Sequence, residues 1–188
     1  MSSPPIKLRK AQLVVGKTLN FRNADVADAA YILCLRTNSE KSRYLSAVSE
    51  NLADQQAWLA GYKKSDDQAY FIIEYKGEQI GTVRLYNPEG DSFCWGSWIL
   101  ASTCPKHVAI ESALMVYAYA IDHLGFKSAH FNVRKGNERV WQFHERFGAR
   151  RVSEDQDDYQ YRLDGEAIRK SRQRYQRYLD STVNVKFY

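Results

Sequence analysis

The sequence predicts an α/β (α+β) fold: a mixed, mostly antiparallel central sheet with one parallel β-α-β unit and flanking helices. Three observations support this. "AYFIIEYK" (69–76) and "QIGTVRLYN" (79–87) are strand-like runs joined by a tight turn at Gly77-Glu78, the mark of an antiparallel hairpin. "SFCWGSWIL" (92–100), "AIESALMVYAYAIDHL" (109–124) and "KSAHFNVR" (127–134) read as strand, crossover helix and strand, which favours parallel pairing with a right-handed crossover. "ARRVSED" and "YQYRL" form a closing hairpin.

In chain order, residues 1–16 read as a loose N-terminal arm and "KTLNFRNA" (17–24) as a strand. Asp25 opens a helix in which Val26, Ala30, Leu33 and Thr37 recur at helical spacing. Ser49 is placed to cap a second helix, "ENLADQQAWLAGY", that stops near Gly61. "NPEGD" is the turn before the strand at 92–100. The helix at 109–124 is apolar nearly all round, so it is predicted to be buried, with Gly125 as its stop. Asn137 begins "NERVWQFHERF" and Gly148 ends it. "GEAIRKSRQRYQRYL" (165–179) is a basic amphipathic helix leading into a C-terminal tail. Its apolar side, Ile168, Tyr175, Tyr178 and Leu179, packs on the domain or on a second subunit, so a homodimer is an open expectation. No repeat or low-complexity linker divides residues 1–188, which read as one domain.

Composition narrows the partners. A net charge of +5 and a pI near 9.0 favour phosphate-bearing ligands. No Lys/Arg block joins a nucleic-acid motif, so a nucleic-acid partner is not expected. Cys34, Cys94 and Cys104 are odd in number and widely spaced, which argues against a disulfide framework or a zinc site. "MSSPPIKLRK" lacks the apolar stretch of a signal peptide, and no run is long enough to span a membrane. A cytoplasmic protein with no membrane partner and no metal is the expectation.

The stretch from Val133 to Ala149, V-R-K-G-N-x-x-V-x-x-F-H-x-x-F-G-A, resembles a motif of the GNAT superfamily of N-acetyltransferases. Val133, Asn137, Phe143, Gly148 and Ala149 match that motif, whereas Val140 stands at the usual Ala and His144 at the usual Tyr. The resemblance extends over roughly residues 17–164. The family's other motif, (Q/R)-x-x-G-x-(G/A), falls on "PKHVAI", with Pro105, Val108 and Ile110 at its three defining positions. Whole-chain character resembles the amino-sugar acetyltransferases of surface-polysaccharide pathways (the pseudaminic-acid type) and the neighbouring ribosomal-protein N-terminal acetyltransferases.

The resemblance implies acetyl-coenzyme A as acyl donor and direct attack by a primary amine. The implied acceptor is a small molecule, a nucleotide-linked amino sugar. A protein N-terminus is the alternative acceptor, and a non-catalytic binding module the alternative of another class. By the same resemblance, the central strand splays from its neighbour, and the backbone N–H groups of Ile99, Leu100 and Ala101 serve the thioester and the pantetheine arm. Phosphate falls to the loop and helix start at Lys106, His107, Val108, Ala109 and Ile110 through backbone N–H groups and the positive helix end, which need no glycine, with side-chain contacts from Lys106 and His107. Asn137 takes the pantetheine arm or caps its helix. His144 shares a helix face with Val140 and Phe147 and turns inward. It is the candidate to protonate the departing thiolate, or to act as a base, against a purely structural role. His130, Glu74 and Trp95 are further candidates for catalysis or substrate contact. Gly96, between Trp95 and Trp98, suggests a bulge or a close backbone approach.

Overall fold

The structure, a computed structural model, describes residues 5–38, 43–44 and 47–188. Among these residues the strands are β1 (Ala11–Val15), β2 (Leu19–Asn23), β3 (Ala69–Tyr75), β4 (Glu78–Glu89), β5 (Ser92–Leu100), β6 (Ser128–Arg134), β7 (Arg150–Glu154), β8 (Asp158–Leu163) and β9 (Asn184–Phe187). The helices are α1 (Ala29–Thr37), α2 (Leu52–Lys64), α3 (His107–Ala118), α4 (Glu138–Arg146) and α5 (Gly165–Arg174). A 3-10 turn, Val26–Asp28, precedes α1, and a π-helical turn, Tyr119–His123, extends α3. All nine strands share one sheet, ordered β7-β8-β6-β5-β4-β3-β2-β1-β9. Every neighbouring pair is antiparallel except β5 and β6, which run parallel across the α3 crossover.

The strand period of two assigns the faces. Phe71, Ile73, Val83, Leu85, Phe131 and Val133 turn to one side and enclose α3 in the main core. Tyr70 and Ile72 turn to the other side and pack with Ile32 of α1 and with Leu59 and Tyr62 of α2. The expected burial of the crossover helix is met from Glu111 through Ala118. Ile168 and Leu179 seat the C-terminal segment on the same core.

Several boundaries differ from expectation. The loose arm of 1–16 contains β1; its residues 1–4 lie outside the described ones. The tail contains β9, which pairs with β1 through Val14↔Val185. Neither strand is long enough to announce itself, and each is held by a partner distant in sequence. The β3–β4 turn is Lys76-Gly77, one residue earlier than expected, with φ of 52° and 82° and closing pair Tyr75↔Glu78. Two left-handed residues give the turn a twist that matches the sheet. Asn51 rather than Ser49 caps α2, accepting from the Ala53 N–H at 2.8 Å. Gly61 does not stop α2, which ends at Lys64 with Tyr62, Lys63 and Ser65 carbonyls accepting from the Lys10 ammonium. The β4 strand runs through "NPE" on a bulge that accommodates Pro88, so the turn is confined to Gly90-Asp91.

Gly81 marks the tightest contact between β4 and β5. A Cβ there would sit 2.3 Å from the Ile99 carbonyl oxygen. Gly81→Ala is expected to cost about 3 kcal/mol, because the obstacle is backbone in the sheet centre. A fall in the urea midpoint with an unchanged denaturant slope would register this; an unchanged midpoint would refute it.

Candidate active site

The β5–β6 pairing begins at Ser92↔Ser128 and ends at Cys94↔His130, although both strands continue. The cause lies on the β4 side of β5. Arg84 pairs with Gly96 and Thr82 with Ile99, so Ser97 and Trp98 together face Val83. This bulge puts Ser97 at φ 47° and is pinned by Thr82 Oγ1 donating to the Ser97 carbonyl at 2.8 Å. The distortion expected at Gly96 is therefore present, one residue further on. Gly96 itself answers a close approach: a Cβ there would lie 2.9 Å from the Tyr86 hydroxyl. The bulge also swings Trp95 and Trp98 together, with ring centroids 5.3 Å apart, where a regular strand would separate them.

Beyond the bulge, the three expected backbone donors divide. The Ala101 N–H donates to the Ile80 carbonyl at 2.7 Å, which corrects its assignment as a free donor. Alternation then turns the Ile99 N–H toward β4 as well, where it pairs with Thr82, and leaves the Leu100 N–H on the edge facing β6. Leu100 alone of the three is directed at the splay.

The loop before α3 is built from two successive turns, Cys104 N–H to Ala101 carbonyl and Val108 N–H to Pro105 carbonyl, both 3.1 Å. α3 starts at His107, two residues earlier than the periodicity indicates, and Lys106 at its cap is exposed, with no side-chain capping bond. Val108 is fully buried, and its N–H closes the Pro105 turn. That leaves Ala109 and Ile110 in the first helical turn, with Lys106 beside them. His107 is tethered: its Nε2 is 3.2 Å from Thr18 Oγ1 and its ring packs on Tyr75. Glu111, which the sequence reading passed over, is 1% exposed. Its carboxylate accepts from the Thr18 N–H (2.6 Å), the Leu19 N–H (3.0 Å) and the Thr18 hydroxyl (2.6 Å), so it ties α3 to β2.

On the far side of the splay, α4 carries His144 into the main core. Its ring centroid lies 4.2 Å from Phe131, 5.2 Å from Trp95, 5.7 Å from Phe143 and 6.1 Å from Trp98. Nδ1 has no hydrogen-bond partner among the described residues, and the Trp95 indole N–H is turned toward the Tyr117 hydroxyl. Burial pushes the imidazole down to about 3 from its ordinary 6.5. The ring is therefore neutral at pH 7, and burial opposes its taking up a proton. Asn137 occupies the N-cap position of α4, but its side chain makes no capping bond; the expected cap is absent and the amide is left for other partners.

His130 and Glu74 are held elsewhere. His130 Nδ1 is 2.8 Å from Ser92 Oγ, and its Nε2 is 3.6 Å from Glu89. Burial lowers its pKa, against an opposing pull from Glu89. Glu74 accepts from Arg22 Nε at 2.9 Å, and Arg22 also grips Asp28. Neither lines the cavity on this face of the sheet.

That cavity, of about 520 Å³, opens on the face carrying α1 and α2. Arg36, Trp58, Arg84, Tyr86, Trp95 and Arg134 supply most of its character. Trp95 reaches both the cavity and the His144 ring, so it stands where the two faces meet at the splay. Of these six, Trp95 is the one the sequence marks as a site residue. Arg84, a lone charge in the apolar strand "IGTVRLY", is the sequence signal for the others.

The arrangement fits a coenzyme with a thioester arm. The unpartnered Nδ1 of His144 and the outward Leu100 N–H lie along a divergence of two parallel strands, β5 leading on to the start of α3. Among the described residues no helix is long and apolar enough to cross a membrane, and no group of three His, Cys, Asp or Glu is placed to hold a metal.

Comparison with known proteins agrees. The family model described as "Acetyltransferase (GNAT) domain" matches residues 18–150. The solved structure of apo FdhC, described as a nucleotide-linked sugar GNAT, is 35% identical, covers 93% of this chain and 99% of its own, and superposes with a TM-score of 0.79. A GCN5-related N-acetyltransferase from Brucella melitensis shares the fold at 19% identity, covering 92% of this chain and 86% of its own with a TM-score of 0.75. Spermidine N-acetyltransferase from Vibrio cholerae, solved with CoA and spermine, shares it at 17% identity, 80% and 98% coverage and a TM-score of 0.72. No curated protein matches by sequence. Sheet order, splay, family match and whole-chain similarity together place this chain in the GNAT family, as an acetyltransferase that draws its acetyl group from acetyl-coenzyme A.

Proposed function

We propose that the protein acetylates the primary amine of a nucleotide-linked amino sugar. The cavity is the observation that supports this reading. It sets three arginines against two carboxylates, Asp54 and Asp158, and adds Trp58 at 39% exposure. A sugar nucleotide calls for aromatic stacking beside positive charge. The similarity to FdhC, a nucleotide-linked sugar GNAT, supports the same acceptor class.

Acetyl-coenzyme A supplies the acetyl group as a thioester activated for attack by an amine. The Leu100 N–H is the donor for the carbonyl oxygen as it gains charge. His144, neutral, is a hydrogen-bond donor toward the sulfur at the splay and not a store for a proton. The Asn137 amide, unused in capping, serves the amides of the pantetheine arm. The first turn of α3, with Lys106 exposed beside Ala109 and Ile110, holds phosphate through backbone N–H groups and helix polarity. Trp95 walls the passage between amine and thioester. The amine is delivered neutral, and the proton it sheds leaves through the open cavity.

A thermal shift with acetyl-coenzyme A, followed by mass spectrometry on a panel of amino-sugar nucleotides and N-terminal peptides, tests this. The expected result is a shift to higher melting temperature and mono-acetylation of at least one sugar nucleotide. Acetylation of peptides alone would replace the acceptor.

A further inference from the structure

We infer that Arg84 is the residue that holds the diphosphate of the acceptor. This rests on the acceptor reading above and assigns a place within it.

The three arginines of the cavity differ in what already engages them. Arg134 is paired with Asp157 at 3.1 Å and Asp158 at 3.4 Å. Arg36 donates to Ser97 Oγ at 3.5 Å and has further contacts. Arg84 is in no ion pair among the described residues, and its buried Nε–H, like that of Arg36, reaches no acceptor among them. Its guanidinium instead lies over two aromatic rings, 4.3 Å from the Tyr86 centroid and 5.5 Å from that of Trp58.

The geometry has a chemical consequence. Ring stacking uses the faces of a guanidinium and leaves its N–H donors in the plane; one of them serves the Tyr86 hydroxyl, and the buried Nε–H is unmet. A guanidinium fork matches two phosphate oxygens at once. A half-buried cation without an acid is costly unless an anion completes it. β4 fixes the backbone, and Tyr86 and Trp58 fix the plane, so the group is organised before any ligand arrives. Trp58 offers exposed ring surface next to the same charge, where a base can stack. Arg84 is thus a binding residue that sets acceptor position and takes no part in proton transfer.

The test compares Arg84→Met and Arg84→Lys with the parent protein. Titration with uridine diphosphate and thymidine diphosphate reads the site without turnover. The parent is expected to bind at least one of them, Arg84→Lys roughly 10-fold more weakly and Arg84→Met roughly 100-fold more weakly. Lysine keeps the charge but loses the planar fork. Acetyl-coenzyme A affinity is expected to be unchanged in both variants, which also shows that they fold. With a nucleotide-linked amino sugar, the loss should appear in KM with kcat nearly constant, and with the corresponding free amino sugar the three proteins should perform alike. Equal losses on free and nucleotide-linked sugars would make Arg84 a structural residue and overturn the inference, as would undiminished diphosphate binding by Arg84→Met. If the parent bound neither diphosphate, the inference would fall whatever amine it acetylates. If it bound one through Arg84 yet acetylated no sugar nucleotide, the acceptor reading alone would fail.

Discussion

His144→Phe is expected to fold well and to lose about 10²-fold in turnover, the scale of removing one donor aimed at developing charge. The ring sits among Phe131, Trp95, Phe143 and Trp98 with an unpartnered Nδ1, so phenylalanine suits its surroundings. Removing that orphan atom should raise stability at pH 7 by about 1 kcal/mol, after some loss to the larger ring. A pH profile separates this residue from the rest of the molecule. The folded pKa is about 3 and the unfolded one 6.5. Below 6.5 the unfolded chain binds a proton that the folded protein refuses. The stability associated with His144 is therefore fully present above pH 6.5 and is lost as the pH falls toward 3, at about 1.4 kcal/mol per unit. The phenylalanine variant lacks that slope. His130, also depressed, titrates in both proteins and cancels in the difference. Paired urea melts between pH 4 and 7 measure the stability gap, and single-turnover acetyl transfer measures the chemistry. Full turnover in His144→Phe would remove His144 from the mechanism, and parallel stability profiles would show that the folded protein protonates it readily.

Glu111→Ala is expected to destabilise the protein by about 4 kcal/mol, a large part of a typical domain's stability. The methyl group leaves the buried Leu19 N–H and the part-buried Thr18 N–H without the carboxylate that accepts from both. Glu111→Gln keeps one oxygen for these donors and turns its amide toward the Thr18 hydroxyl, so its cost should be nearer about 1 kcal/mol. The same carboxylate fixes the helix start, because His107 also meets Thr18. Glu111→Ala should therefore weaken acetyl-coenzyme A binding as well as lower the melting temperature. Equal stability of the alanine and glutamine variants would show that the buried bonds contribute little.

These two residues mark how far local pattern reaches. The inward turn of His144 follows from its spacing to Val140 and Phe147 on a helix, and the strand-helix-strand unit from runs that each carry their own period. Burial of α3 is legible in its composition. The proton affinity of His144 is not, because it depends on Phe131 and Trp95 arriving from β6 and β5. The Glu111 carboxylate sits at an ordinary helical position, and its role appears only when the β2 backbone comes to lie under it. His130 and Glu74 have suitable chemistry in the sequence, yet strand pairing places their acid and base partners beside them and keeps both off the cavity.

The sequence by itself determined the element order from β2 to α5, the one parallel pairing, the family motif from Val133 to Ala149 and the inward face of α4. Each of these is written in periods of two or 3.6 residues or in short spacings. The tertiary structure alone decided the Ser97 bulge, the donor left at Leu100, the β1–β9 edge and the meeting of Trp58, Arg84 and Tyr86. Those features join segments far apart in the chain, and such pairing is selected by packing and hydrogen-bond closure across the whole sheet, which no local period encodes.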